Sequence, residues 1–153
     1  MQTSLIILKP DAVQRGLSGQ ILQRFERKGL RIAGAKLMMV PKELAEKHYA
    51  EHKGKPFYDG LLKFVTSSPV MVLAIQGLEA VTVCRTLIGA TNGRKADPGT
   101  IRGDFGMSGG FNLVHGSDSA ESAERELALW FTADELTDTA RSIEQWVYDP
   151  SDL

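Results

Sequence analysis

The chain has 153 residues, 42% hydrophobic and 24% charged, which suits one soluble globular domain with a sizeable core. A formal net charge of -1 gives no global electrostatic case for nucleic-acid or membrane-surface binding. The single cysteine, Cys84, fits a reducing compartment, and no apolar run is long enough for a signal or transmembrane segment, so a single cytoplasmic domain over residues 1–153 is expected.

Thr3 to Leu8 is a short apolar run and predicts a central strand. Lys9-Pro10-Asp11 follows it. A lysine just past a buried strand is commonly a snorkelling surface residue, but it can also point into a site at the sheet's edge. Leu17, Ile21, Leu22 and Phe25 repeat at helical spacing, and Gly29 supplies a stop. Arg24, Glu26, Arg27 and Lys28 read as the wet face of that helix. Leu30 to Val40 predicts a second strand. Pro41 suits the first helical position, so a helix should run through Glu43, Leu44 and Lys47 to about His48. After the break at Gly54-Lys55-Pro56, the run Phe57, Leu61, Leu62, Phe64 and Val65 predicts a short amphipathic helix ended by Ser67-Ser68-Pro69. Val70 to Ile75 is the clearest strand, six apolar residues between turn signals. Leu78 to Ile88 reads as a helix with Val81, Cys84 and Ile88 on one side and Arg85 beside that stripe.

Residues 89–111 have no periodicity and are rich in glycine, with Arg94, Lys95 and Arg102 among them. A structureless loop of this length is usually functional or disordered; because this one leads into the segment carrying His115, a functional role is expected. In Asn112-Leu113-Val114-His115-Gly116-Ser117-Asp118, Leu113 and Val114 read as the end of a buried strand. Ser117, Asp118 and Ser119 read as a helix start, with His115 at the break. Asp118 with Glu121 three residues on resembles a capping box. Ala120, Ala123, Leu127, Trp130 and Phe131 form one apolar stripe. Placing residues about 100° apart puts Glu126 at its flank, within reach of His115, while Glu121 and Glu124 point away. Trp146 and Tyr148 in the tail must pack somewhere. The element order predicts an α+β, ferredoxin-like βαββαβ sandwich: a four-stranded antiparallel sheet with helices on one face and a helical hairpin inserted between the second and third strands.

Two motif matches fail on context. Gly106-Met107-Ser108-Gly109-Gly110 fits G-x-S-x-G, but the only later histidine is His115 and no acid lies between them. His48-Tyr49-Ala50-Glu51-His52 fits H-x-x-E-H only if the helix runs past His48, which Gly54 and Pro56 oppose; a wet helix end is expected instead. Neither the P-loop nor the dinucleotide fingerprint is present. What remains is Lys9, Arg85, Thr91, Arg102 and Asn112, cations and polar groups that could converge on anionic oxygens near a histidine. Cations around a neutral histidine nucleophile suit phosphoryl transfer through a phosphohistidine.

From about Thr3 to Tyr148 the chain resembles the nucleoside diphosphate kinase family. The match is carried by Lys9-Pro10-Asp11 with Gln14-Arg15-Gly16, by Pro98-Gly99-Thr100-Ile101-Arg102-Gly103-Asp104-Phe105, and by Asn112 to Asp118. The resemblance implies Mg²⁺-dependent ping-pong transfer of the γ-phosphate of a nucleoside triphosphate such as ATP to a broad range of nucleoside diphosphates, with His115 phosphorylated. It implies that Lys9, Arg85, Thr91, Arg102 and Asn112 contact phosphates or sugar hydroxyls, and that Phe57 stacks on the base with Leu61 beside it. Tyr49 would lie near the phosphohistidine, Ser117 and Glu126 would support the histidine, and Asp118 would act only indirectly on a magnesium held mainly by the nucleotide phosphates. A homo-oligomer is implied, a hexamer before a tetramer. Phe111 and Gly93 depart from the arginine and proline that many members carry there, in or beside a loop that by resemblance packs between subunits. The alternative is an inactive nucleotide-binding scaffold on the same fold, which the presence of Lys9, His115 and Glu126 argues against.

Overall fold

Ser4 to Leu8 are all buried, so the first strand must be covered on both faces. In the computed structural model, which describes residues 1–153, this strand is β1 (Gln2–Leu8). It pairs antiparallel with β3 (Val70–Gly77) and with β4 (Val114–Gly116); β3 also pairs antiparallel with β2 (Arg31–Met38). The sheet order is β2-β3-β1-β4, with β1 and β3 central.

The period-two alternation of side chains splits the central strands between two cores. Ile6, Leu8, Leu73 and Ile75 meet α1 (Pro10–Gln14), α2 (Ser18–Arg27), α5 (Ala80–Ile88) and α6 (Ile101–Phe105) through Ala12, Ile21, Phe25, Ala80, Cys84, Ile88 and Ile101. Leu5, Ile7, Val72 and Ala74 meet α3 (Lys42–His48), α4 (Tyr58–Val65) and α7 (Ala120–Trp130) through Ala45, Val65 and Trp130. The ferredoxin-like α+β fold is present, and its two crossover helices, α2 and α5, share a face. The expectation of helices on one face alone is corrected: the inserted α3–α4 hairpin and α7 cover the other. The physical reason is the unbroken apolar runs Leu5–Leu8 of β1 and Val70–Ile75 of β3, which leave no side of the sheet fit for water. Each large aliphatic chain buried there is worth about 1.5–3 kcal/mol.

Several boundaries differ from the sequence reading. Pro10 opens a five-residue helix, too short to carry a periodicity. Pro41 is the N-cap of α3 rather than its first residue. The segment 89–111 is not structureless, since it contains α6, whose N-cap Thr100 accepts a hydrogen bond from Gly103 N–H at 3.0 Å. Gly93 lies so close to Gly106 that a Cβ there would sit 2.4 Å from its carbonyl oxygen. Ser119, not Asp118, caps α7, accepting from Ser122 N–H at 3.0 Å. In the tail, buried Arg31 pairs with Asp138, and Arg141 donates to the Gly29 carbonyl at 2.8 Å. Tyr148 reaches Gly77, but Trp146 stays 84% exposed and finds no place in this chain.

Candidate active site

The site is built where β4 leaves the glycine-rich segment. Leu113 is fully buried with φ +71°, a left-handed conformation that costs a leucine about 1–3 kcal/mol. It is held there from both sides: its N–H donates to Asp11 Oδ2 at 3.1 Å, and its carbonyl accepts from Lys9 N–H at 2.8 Å. Two residues later His115 pairs with Ile7 of β1. It is the middle residue of β4, not the residue at the break expected from the sequence. Gly116 follows because a Cβ there would stand 2.6 Å from Ile88 Cδ1.

His115 Nε2 is in a short hydrogen bond with Glu126 Oε2. Glu126 is 3% exposed, deeper than the flank position expected. A carboxylate only accepts, so in the neutral ring this network assigns the proton to Nε2 and leaves Nδ1 with its lone pair. His48, read from sequence as a wet helix end, is buried beside this pair. Its ring stands edge-on to His115 with centroids 4.7 Å apart, and its Nδ1 accepts from the Trp130 indole N–H at 3.1 Å. Burial, helped by the charges of His115, Arg125, Lys9 and His52, pushes its pKa down to about 2, so it stays neutral. Its 3.8 Å approach to Glu126 is therefore no ion pair. Burial and the Glu126 charge push the Tyr49 phenol up to about 12, keeping it a hydroxyl donor.

An open cavity of about 210 Å³ lies against His115. Of the expected residues, Tyr49, Arg85, His115, Asp118 and Glu126 line it; His48, Glu51, His52, Ser122 and Arg125 join them. Arg85 donates to the Gly116 carbonyl at 3.5 Å, and Arg125 pairs with Glu51 at 3.2 Å across the rim.

A second group of expected residues forms a linked set beside β4. Lys9 Nζ donates to Asn112 Oδ1 at 2.8 Å, and Asn112 Nδ2 donates to the Thr91 carbonyl at 3.1 Å. Burial, with the Arg102 charge adding to it, pushes the Lys9 ammonium down to about 8. Arg102 is buried, and its three nitrogens donate to the carbonyls of Asn112, Gly89 and Val114 at 3.1, 3.2 and 2.7 Å. Burial, then Arg85, pushes it down to about 10, so it remains a cation.

The other expected residues stand apart. Phe57 is 51% exposed at the N-terminus of α4, with Leu61 one turn on. A run of ring contacts, Phe57 to His52 at 5.3 Å and His52 to Tyr49 at 6.2 Å, joins it to the cavity rim. Ser117 does not touch His115 or Glu126 through any hydrogen bond. Its hydroxyl accepts from Leu5 N–H at 3.1 Å and fastens β4, the strand that carries His115, to β1. Ser108 Oγ accepts from Phe111 N–H at 3.3 Å with no histidine beside it, so no nucleophile elbow forms. α3 ends at His48, so His48 and His52 do not share a helix.

His48 was legible in principle: it lies three residues after buried Ala45 and four after Leu44, on the apolar side of α3. Glu51 was named only as the acid of the H-x-x-E-H match, and nothing in the sequence singles out Arg125. As metal donors, His48, His115 and Glu126 offer a nitrogen-rich set whose atoms lie within 4.8 Å of one another. That set suits zinc or copper rather than magnesium, and its groups are engaged with one another and with Trp130. Asp118 is different: hydrogen bonds from Ser122 and Ser119 hold its carboxyl below the usual range. One ionised carboxylate lining an open cavity is a hard oxygen donor of the kind magnesium takes.

Comparison with known proteins agrees with this geometry. The family model described as nucleoside diphosphate kinase matches residues 2–136. A nucleoside diphosphate kinase of Staphylococcus epidermidis is 54% identical over 149 residues, covering 97% of this chain and all of that one. The halophilic nucleoside diphosphate kinase of Halobacterium salinarum, solved with CDP, superposes with a TM-score of 0.95 at 49% identity, over 97% of this chain and 99% of that one. The nucleoside diphosphate kinase of Borrelia burgdorferi, solved as a transition-state mimic with vanadate and ADP, gives 0.88 at 39% identity over 94% of each chain. The chain belongs to the nucleoside diphosphate kinase family and is a phosphotransferase that moves the γ-phosphate of a nucleoside triphosphate to a nucleoside diphosphate.

Proposed function

We propose that this transfer runs through His115 Nδ1. The observation that carries the reading is the Glu126 hydrogen bond to Nε2, which leaves Nδ1 unprotonated at a cavity lined by Arg85 and Arg125. In the first half-reaction the Nδ1 lone pair attacks the γ-phosphorus. A nitrogen–phosphorus bond forms, the bond to the β,γ-bridging oxygen breaks, and its electron pair leaves on the nucleoside diphosphate. The Nε2 proton stays in place, and Glu126 stabilises the positive charge that develops on the ring. In the second half a terminal phosphate oxygen of another nucleoside diphosphate attacks the same phosphorus; a phosphorus–oxygen bond forms, the nitrogen–phosphorus bond breaks, and its electron pair returns to Nδ1 as the lone pair.

A cavity of about 210 Å³ has room for a phosphate chain rather than a whole nucleotide. The sugar and base then extend toward Phe57 and Leu61, where an aromatic face is indifferent to base identity and suits a broad acceptor range. Lys9, Arg85 and Arg102 supply positive potential, and Asn112 and Thr91 lie on the side of Lys9. Arg102 also fastens Asn112 and β4 through their carbonyls. Tyr49 stands at the rim as a donor. Asp118 is the carboxylate that would face a Mg²⁺ arriving with the nucleotide phosphates, and the ion would supply charge neutralisation on the transferred group.

We extend the reading to the whole chain as one domain acting in the cytoplasm as a homo-oligomer, a hexamer before a tetramer. No helix is long and apolar enough to cross a membrane. Incubation with γ-labelled ATP and Mg²⁺ without acceptor tests the mechanism. The label should approach one phosphate per chain, be acid-labile and base-stable, sit on Nδ1, and leave when any nucleoside diphosphate is added. His115→Ala should bind nucleotide but take no label. Near-normal transfer by that variant, or an acid-stable label on a serine, would overturn the mechanism.

A further inference from the structure

Phe111 is a large aromatic left 59% exposed, its N–H donating to Ser108 Oγ at 3.3 Å. It follows Gly109 and Gly110, and a Cβ added at Gly110 would meet nothing within 4 Å. Its ring nevertheless lies flat on Phe64 of α4, with centroids 4.6 Å apart and planes inclined by 14°. Phe64 lies on the helix face that Phe57 and Leu61 share, seven residues after Phe57 and three after Leu61. The residue after Phe111 is Asn112, fixed to Lys9 and Thr91. The two rings therefore bridge the bank that carries Phe57 and Leu61 to the bank that carries Asn112. They close an apolar hollow lined by Gly60, Lys63, Phe64, Ser67 and Phe111.

We propose that Phe111 is a positioning residue for nucleotide binding: by stacking on Phe64 it ties the glycine-rich segment to α4 and sets the width of the slot in which the nucleoside lies. This rests on the site reading above. It assigns Phe111 no contact with the reacting atoms, so the bridge acts on nucleotide affinity and leaves the chemical step alone. An offset aromatic pair is worth about a two- to tenfold change in an equilibrium beyond the area it buries.

The test is steady-state transfer from ATP to a deoxynucleoside diphosphate by the full chain in its native assembly. Wild type is compared with F111A, F64A, the double variant and F111Y. F111A should raise KM about two- to tenfold with kcat within twofold. F64A should match it, the double variant should be no worse than either single one, and F111Y should restore the wild-type KM. Phe111 is exposed in a loop, so F111A keeps the question answerable even where F64A weakens α4. The proposal fails if KM does not move, if kcat falls while KM holds, or if the two single effects multiply. It also fails if F111A changes the molar mass in solution, because Phe111 would then serve subunit contact. Failure of the underlying site reading looks different: wild type itself would take no label on His115.

Discussion

At the scale of single residues, what separates His115 from an ordinary histidine in a strand is its second nitrogen. Glu126 takes up Nε2 and so decides which nitrogen is free. Glu126→Gln keeps an acceptor and the shape but loses the charge that offsets the developing imidazolium. Groups that orient a reacting side chain in this way typically contribute about 10- to 100-fold, so the rate of single-turnover labelling should fall by that much, with the label still on Nδ1. A loss as complete as that in His115→Ala would mean Glu126 does more than position. Lys9 gives a pH dependence of definite sign. Its ammonium is pushed down to about 8, chiefly by burial. Below that pH it is charged and attracts phosphate; as pH rises through about 8 the charge is lost. kcat/KM for ATP should therefore fall on the alkaline side, while kcat at saturating nucleotide changes less, because a bound phosphate holds the proton on Lys9. A flat kcat/KM profile from pH 7 to 9 would count against its role in binding.

At the scale of elements, β4 is only three residues long and cannot hold His115 by its own ladder. Besides Ser117 and Arg102, its fixity comes from the turn before it, where a left-handed Leu113 is held by Asp11 at the start of α1 and by the Lys9 N–H. Removing the acceptor strands a buried N–H, at a cost of about 1–3 kcal/mol. Asp11→Ala should lose that much unfolding free energy in a denaturant titration, and the rate of His115 labelling should fall with it. Asp11→Asn retains an acceptor oxygen and should recover most of both. An Asp11→Ala protein as stable as wild type would show that Leu113 is held by other means.

At the scale of the whole molecule, the sheet is covered on both faces, but the tail covers only the first half of the edge strand β2, where Thr137 N–H donates to the Ala33 carbonyl at 2.8 Å; Ala35 and Leu37 beyond it are exposed. Leu37 and Met39, on and just beyond that strand, are 61% and 53% exposed, and Trp146 is 84% exposed. An exposed edge strand with large apolar side chains beside it favours association. Light scattering at micromolar concentration should give six times the subunit mass of 16.8 kDa. One subunit mass would refute assembly, and four would select the tetramer.

Local chemistry made much of this protein legible in one dimension. Apolar runs marked β1 and β3, helical spacing marked α2, α5 and α7, and Lys9, Asn112 and His115 stood out because strand ends and loops carry few such groups without a reason. Helical geometry also brought Glu126 to the right side of α7. Other features exist only once distant segments meet. His48 became part of the site because α3 packs on α7, which puts Trp130 and Glu126 against it. Ser117 went to the β1 backbone because β4 is docked on β1. The second helical layer, the left-handed Leu113 and the Phe64–Phe111 stack each depend on contacts between segments far apart in the chain. No local propensity encodes such contacts; they form when burial of both sheet faces brings those segments together.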